Sequence, residues 1–346
     1  MRKRETDHRA GTPPRRDAQA LRAAQLYYVQ HLTMDSIARD LGTSRSTVSR
    51  LLTYARDSGM VTISITDHQL QGPETAAAIA RLFDVRAHVV PTDGGLGESS
   101  ILDRVALHAA DLVGRLVDSE MTVGVAWGST VTALSKHLKR KPTHDAVFVQ
   151  LNGSGNPQSS GIGYASDIMH RFGTAFTARV EQFPVPTFFD HPETRELMWQ
   201  ERSVRRVLDL HAHMGLAVFG LGTIGAEVPS HVYRGGYLTP SDVRELRREG
   251  VVGDIATVFY RSDGGTAGID LNRRSTGPAL EQLRQVPRRV CAVAGKSKVP
   301  ALAAALAAGY ITDLVVDEGA ARHLIRFHER NQARRSSAPD GGRLEA

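Results

Sequence analysis

The stretch Met34-Asp35-Ser36-Ile37-Ala38-Arg39-Asp40-Leu41-Gly42-Thr43-Ser44-Arg45-Ser46-Thr47-Val48-Ser49-Arg50-Leu51-Leu52-Thr53-Tyr54-Ala55 decides how the first part of this chain folds. Met34, Ile37, Ala38 and Leu41 recur at i, i+3, i+4 and i+7, and Val48, Leu51, Leu52 and Ala55 repeat the spacing. Each set is one apolar face of an amphipathic helix. Gly42 can end the first helix in a left-handed conformation, and Thr43 or Ser44 can cap the second. The pattern predicts a helix-turn-helix. Its second helix turns Arg45, Ser46, Thr47, Ser49 and Arg50 away from the core. Short hydroxyls and long cations suit base edges and phosphates. A helical hairpin with a solvated polar face is the plainer alternative. The glycine turn and the lack of acidic residues from Thr43 to Ala55 argue against it.

Moving outward, Ser58-Gly59-Met60 ends the second helix, and Val61-Thr62-Ile63-Ser64-Ile65 alternates apolar and polar residues as a strand does. That strand reads as a wing. Upstream, Leu21, Ala24 and Tyr28 predict a first helix that closes a three-helix core. The unit is expected over about 18–67. Before it, 1–17 reads as a flexible basic arm, with six cations in the first 16 residues beside Gly11, Pro13 and Pro14.

Charge is distributed unevenly. The chain of 346 residues has a net charge of +6, and residues 1–60 hold 11 Lys+Arg against 6 Asp+Glu. A small module attracted to polyanions and a larger, nearly neutral module fit that asymmetry. No apolar run approaches the ~18 residues of a membrane span. The start, Met1-Arg2-Lys3-Arg4, lacks the apolar stretch of a signal peptide. One cysteine, Cys291, excludes an internal disulfide and a multi-cysteine zinc site. These features point to the cytoplasm, with no membrane partner, cofactor or metal. The polar end, 331–346, reads as a disordered tail.

From about 68 to 330, short apolar runs alternate with helical stretches. Strands are expected at 85–90, 122–126, 146–151, 174–180, 216–219, 255–260, 289–294 and 313–316. Helices are expected at 101–116, 129–138, 166–172, 192–208, 242–249 and 299–308. Such alternation implies an α/β fold with a mostly parallel, buried sheet. Ligands of such sheets bind beyond the C-terminal strand ends.

Several strand ends carry suitable chemistry. Trp127-Gly128-Ser129-Thr130 follows a strand and opens a helix. Gly128 lets backbone approach a ligand, and Ser129, Thr130 and the helix amides can cradle a phosphate. Simple capping by Ser129 is the alternative. Asn152-Gly153-Ser154-Gly155-Asn156 follows the next strand and is similarly polar. Asp254 stands just before a strand, and Gly295-Lys296-Ser297-Lys298 follows another. Gly220-Leu221-Gly222-Thr223-Ile224-Gly225 imitates a dinucleotide fingerprint, but Pro229 interrupts the helix that fingerprint needs. His211 and His213 form an isolated pair that reads as a surface loop rather than a metal site.

Taken in order, these pieces resemble the SorC/DeoR-type sugar-binding transcriptional regulators of bacteria. The matching stretches are Val123-Gly124-Val125-Ala126-Trp127-Gly128-Ser129-Thr130, Leu151-Asn152-Gly153-Ser154, Pro184-Val185-Pro186, Gly220-Leu221-Gly222-Thr223, Val252-Gly253-Asp254-Ile255, Val293-Ala294-Gly295-Lys296-Ser297-Lys298 and Thr312-Asp313-Leu314-Val315-Val316-Asp317-Glu318. The resemblance implies a winged helix-turn-helix followed, over 68–330, by an effector domain of sugar-phosphate isomerase fold. It implies that Gly128, Ser129 and Thr130 hold a phosphate and that Lys298 supplies a cation. It gives Asp254 the sugar hydroxyls, and it puts Asn152, Gly153 and Asp167 at the same mouth. Lys296 departs from the family, which often carries glycine there, and is expected to affect pocket access. Some relatives hold effector through a lysine Schiff base, and nothing in the sequence marks a buried lysine.

The function implied is a DNA-binding transcriptional regulator whose operator affinity is set by a sugar or polyol, phosphorylated by this reading. A homodimer or homotetramer would read a palindromic operator. The alternative is a sugar-phosphate isomerase-like enzyme with a DNA-binding head, which would need a general base such as Asp254.

Overall fold

The computed structural model describes residues 15–30, 32–61, 72–92, 95, 97–224 and 230–336. The chain divides into two compact units, 1–69 and 70–346. The expected wing at 62–65 and the arm and tail at 1–14 and 337–346 lie outside the described residues.

In the first unit, α1 (Arg15–Ala24) widens into a π-helical turn, Gln25–Val29. Helix α2 (Met34–Asp40) opens on Thr33, whose hydroxyl accepts from the Ser36 amide at 3.2 Å. Gly42 ends it at φ +60°, a left-handed turn with little cost for glycine. Ser44 then caps α3 (Arg45–Asp57) by accepting from the Thr47 amide at 3.2 Å. Ile37, Ala38, Val48, Leu51, Leu52 and Ala55 are buried as the spacing requires. On the first helix, Ala24 is buried and Tyr28 packs partly against the core as expected, but Leu21 does not. Ala20, Ala23 and Ala24 face the core, and Leu21 is 46% exposed. Small side chains at those positions bring α1 close to α3, where Tyr54 donates to Asp17 at 2.7 Å. Residues 15–17 are therefore helical, not part of an arm.

The second unit begins with α4 (Gly72–Phe83), β1 (Arg86–Val90), α5 (Glu98–Leu116), β2 (Thr122–Val125) and α6 (Ser129–Lys136). Then come β3 (Val147–Gln150), α7 (Ile162–Phe176), β4 (Arg179–Glu181), α8 (Pro192–Met198), α9 (Arg202–Ala212) and β5 (Leu216–Gly220). After α10 (His231–Arg234) and α11 (Pro240–Arg248), β6 (Val251–Ile255) and β7 (Val258–Arg261) form an antiparallel hairpin. The chain continues through α12 (Leu280–Leu283), β8 (Arg288–Val293), α13 (Val299–Ala307), β9 (Asp313–Asp317) and α14 (Glu318–Ser336).

Seven strands form one sheet in the order β1-β9-β8-β5-β2-β3-β4, all parallel. Alternate residues feed two cores. Ala217, Phe219, Cys291, Leu314 and Val316 join the cluster that contains Val299, Leu302 and Leu324 of α13 and α14. Leu216, Val218, Val290, Ala292 and Val315 join the cluster that contains Val105, Val113 and Phe172 of α5 and α7. Helices on both faces of a parallel sheet make a doubly covered α/β layer.

The differences from expectation have local causes. The strand expected at 174–180 is shorter: α7 runs to Phe176, and Thr177 turns the chain at φ 54° before β4. The helix expected at 192–208 breaks at Trp199–Glu201 into α8 and α9. The strand expected at 255–260 is a hairpin with Ala256 and Thr257 in its turn, so Asp254 lies within β6 rather than ahead of a strand. Of the tail expected from 331, the described part, 331–336, is helical and belongs to α14.

Candidate functional site

Strands β2 and β5 are neighbours at the middle of the sheet. From β2 the chain proceeds outward to β3 and β4, whereas from β5 it proceeds the other way to β8 and β9. Their C-terminal ends therefore part at a topological switch point, where doubly wound sheets open a crevice. A cleft of about 430 Å³ lies there, lined by Trp127 to Val131, Gly220 to Gly222, Ser230 to Val232, Asp254, Ala256 and Thr257. A second hollow of about 570 Å³ shares Ser129 and continues to Glu98, Gly295, Ser297 and Lys298.

The first wall is backbone at a helix start. Gly128 sits at φ +149°, a conformation that side chains rarely adopt, and it turns β2 directly into α6. The amides of the first helical turn have no intrahelical acceptor and point at the cleft. Thr130 is buried against Gly220, where an added Cβ would come within 3.1 Å of the Thr130 Cβ.

The opposite wall is a strained hairpin. Asp254 pairs with Gly222, its amide donating at 3.1 Å and its carbonyl accepting at 3.0 Å. An added Cβ on Gly222 would lie 1.8 Å from Asp254 Oδ1 and 2.9 Å from Ser230 Oγ, so glycine is required there. Tyr233 Oη donates to Asp254 Oδ1 at 3.0 Å. Burial pushes the Asp254 carboxyl up to about 6, against the Tyr233 hydrogen bond and the more distant Lys298 charge. Ala256 and Thr257, both at positive φ (46° and 69°), complete the turn. A β-branched residue in that region is strained, and such strain persists where surrounding contacts over-determine it. Here Ser275 Oγ donates to Thr257 O at 2.8 Å, and Gly277 leaves room for Ala256 O.

Lys298 is buried, and that burial lowers its pKa. The sequence carried no mark of this. A 3₁₀ turn, Lys296–Lys298, folds it inward after Gly295, whose amide donates to Asp317 Oδ2 at 2.8 Å. Lys296 is exposed, with its stem against Gly319, and lines neither hollow.

Thus Gly128, Ser129, Thr130, Asp254 and Lys298 are brought together, and three expected residues are not. Asn152 and Gly153 are buried beneath the cleft, where both carbonyls accept from Trp127 Nε1 at 3.2 and 2.9 Å. Gly153 is pressed against Pro186 O, leaving no space for a ligand at its Cα. Asp167 lies well inside α7 on its exposed side, between buried Ala165 and Ile168. His211 closes α9 with Nε2 at 2.9 Å from Gln150 O, rather than standing in a surface loop. Sequence reasoning missed Ser230 and His231, because only the folded chain sets that segment beside β2.

On α3, Arg45, Ser46, Ser49 and Arg50 are exposed, as expected. Thr47 is half-buried, with its hydroxyl 2.9 Å from the capping Ser44 Oγ. Arg45 approaches Asp35 at 3.9 Å across open surface. Among the described residues, no group of His, Cys, Asp or Glu could hold a metal ion, and no helix is long and apolar enough to cross a membrane.

Residues 68–326 match the family described as "Putative sugar-binding domain". The chain is 29% identical to the deoxyribonucleoside regulator of Bacillus subtilis (strain 168), over 88% of this chain and 96% of that protein. It is 26% identical to the sorbitol operon regulator of Klebsiella pneumoniae, over 88% and 97%. Among solved structures, a domain of a possible sugar-binding transcriptional regulator from Arthrobacter aurescens TC1 is 55% identical, with a TM-score of 0.70, covering 75% of this chain and all of that one. The full-length sorbitol operon regulator SorC from Klebsiella pneumoniae superposes with a TM-score of 0.76 at 25% identity, over 89% and 98%. The chain belongs to the SorC/DeoR-type sugar-binding transcriptional regulators.

Proposed function

We propose that α2 and α3 form a winged helix-turn-helix that reads operator DNA, and that a phosphorylated sugar or polyol in the β2/β5 cleft sets its affinity. The observation that carries the reading is the cleft itself: helix amides and Asp254 line it at the switch point of the sheet, and Lys298 lines the adjoining hollow that shares Ser129. Gly128, Ser129, Thr130 and Lys298 suit an anion, because amides, hydroxyls and a cation all favour negative charge. Asp254 suits hydroxyls, which donate to a carboxylate.

On the DNA side, Arg45, Ser46, Ser49 and Arg50 are the contacts, with Thr47 held back by its cap. The exposed surface of α3 from Arg45 to Arg56, which carries no acidic residue, supports that assignment. A palindromic operator would be met by two such helices, in a homodimer or homotetramer. The division of labour follows: about 18–67 for DNA, about 68–330 for effector. Ligand shifts the population between arrangements only through differential affinity for them.

The test is a thermal-shift screen of the full chain against free and phosphorylated sugars and polyols, followed by operator titration with any hit. A ligand of the folded state raises stability by about 2.7 kcal/mol at a hundred times its dissociation constant. A phosphorylated hit that changes operator affinity is the expected result. A hit confined to unphosphorylated polyols discards the anion role of Ser129 and Thr130. Turnover of a sugar phosphate by pure protein would favour the enzyme reading instead.

A further inference from the structure

Four rings pack together at one wall of the cleft, which Trp127 and His231 line. Trp127 stacks on Tyr237, with centroids 5.0 Å apart at 27°. Tyr164 lies 4.5 Å from His231 at 30°. His231 also meets Trp127 at 6.0 Å and Tyr237 at 5.6 Å. Three of these rings have their polar atoms engaged inside the protein. Trp127 Nε1 donates to Gly153 O at 2.9 Å, Tyr164 Oη lies 2.8 Å from Thr132 Oγ1, and Tyr237 Oη donates to Ser154 O at 3.3 Å. His231 lines the cleft, and its imidazole has no hydrogen bond to any described residue.

Next to it, Ser230 Oγ is buried without a partner among the described residues. An unsatisfied buried hydroxyl costs about 1–3 kcal/mol, so such groups call for an explanation. Ser230 Oγ and Asp254 Oδ1 both lie over Gly222, 2.9 Å and 1.8 Å from where its Cβ would be. The empty Cβ position of Gly222 is thus shared by an unpaired hydroxyl and a carboxylate, with an unpaired imidazole on the adjoining residue.

Burial lowers the His231 pKa and so favours the neutral ring. A neutral imidazole offers one donor and one acceptor, and so does a hydroxyl. A sugar or polyol hydroxyl is also both. A phosphate, rich in acceptors, is served by the α6 amides and by Lys298 in the adjoining hollow.

We propose that His231, with Ser230 beside it, reads the hydroxyl pattern of the bound sugar or polyol and so sets which effector the protein answers to. The proposal rests on the effector reading of the cleft given above. A ring that only fills space makes the opposite demand: Phe would replace it well and Gln poorly.

Isothermal titration of the full chain with inorganic phosphate, glycerol 3-phosphate, ribose 5-phosphate, glucose 6-phosphate and sorbitol 6-phosphate separates the two. For the best-bound organic phosphate, His231→Phe should lose about tenfold in affinity and His231→Gln less than about threefold. Inorganic phosphate should bind both variants as it binds the parent. The reverse order, or equal affinity in Phe, overturns the proposal. If His231→Phe does not fold, Ser230→Ala decides: it leaves the rings in place and should weaken the same organic phosphate several-fold, and unchanged binding overturns the proposal. If the parent protein binds none of the four organic phosphates, the phosphorylated-effector reading itself falls, an outcome distinct from failure at His231.

Discussion

Asp254 and Asp313 are buried to nearly the same degree, 6% and 0% exposed, and their carboxyls are held in opposite states. Asp313 begins β9, at the N-terminal end of the parallel sheet. Arg86 grips it at 2.8 and 3.2 Å, Arg288 at 2.9 and 2.7 Å, and Thr312 adds a hydroxyl at 2.7 Å. Those bonds outweigh burial and hold its carboxyl down at about 2. Asp254, beyond the C-terminal strand ends, has Tyr233 and no guanidinium, and burial pushes it up to about 6. A charge whose partners are all internal holds the sheet together. A charge left short of partners, facing a cleft, is prepared for something the protein does not contain.

The sharpest break of that comparison is Asp313→Ala. It removes the shared acceptor of two guanidinium groups that are 56% and 33% exposed, so water solvates them in part and the loss is that of charge-assisted hydrogen bonds, about 1.5–3 kcal/mol. Urea unfolding at pH 7 should show that loss. The pH dependence has a defined sign. The folded carboxyl at about 2 lies below its unfolded value near 3.8, so its stabilisation is present above about pH 4 and lost as pH falls through about 2. The deficit of the variant should therefore shrink toward pH 2. A constant deficit would mean that Asp313 matters through packing.

Asp254→Asn should run the other way. The folded value, about 6, lies above the unfolded one, so the folded state binds the extra proton and loses stability as pH rises from about 4 to 6. Asn is spared that loss. Its stability relative to the parent should rise across the window, by up to about 3 kcal/mol at about 1.4 kcal/mol per pKa unit. Effector affinity should fall about 10- to 100-fold with the charge-assisted hydrogen bonds. A variant less stable at pH 7 than at pH 4, relative to the parent, would put Asp254 among the structural charges.

The α3 surface offers a third kind of charge, an exposed one: Arg50 Nε donates to Ser46 O at 3.4 Å. Arg50→Ala should weaken operator binding about tenfold and make the slope of log K against log salt shallower by about 1. An unchanged salt slope would take Arg50 off the phosphates.

How legible these regions were follows from how local each one is. The α2–α3 faces, the Gly42 turn and the Ser44 cap could be read because every determinant lies within a few residues. So could the Gly128 cradle, which joins a strand to a helix in one turn. Leu21 was misphased because three alanines carry little hydrophobic signal. Asp254 was found, but not its hairpin, because Ala256 and Thr257 are poor markers for a turn that needs positive φ. Asn152 and Gly153 lie behind the cleft lining, with Asn152 Nδ2 3.5 Å from Thr257 Oγ1, and local polarity does not reveal that the Trp127 indole bonds to their carbonyls. Ser230 and His231 gave no signal at all. They reach β2 only through long-range packing.

The smallest effect concerns Lys296, where the sequence suggested an obstacle at the pocket and the structure turns the side chain away. Its stem passes Gly319, and its charge adds to burial, Arg330 and Arg326 in holding down the pKa of His323. Lys296→Ala should therefore leave effector affinity within about twofold, because an exposed charge beyond direct contact is screened by solvent. The same variant should raise the His323 pKa, which an NMR titration would follow. A tenfold change in effector affinity would mean that Lys296 swings past Gly295 into the second hollow when ligand binds. The cleft would then borrow its cation from the surface, as α3 does, and its contrast with the fully internal Asp313 cluster would rest on Asp254 and Lys298 alone.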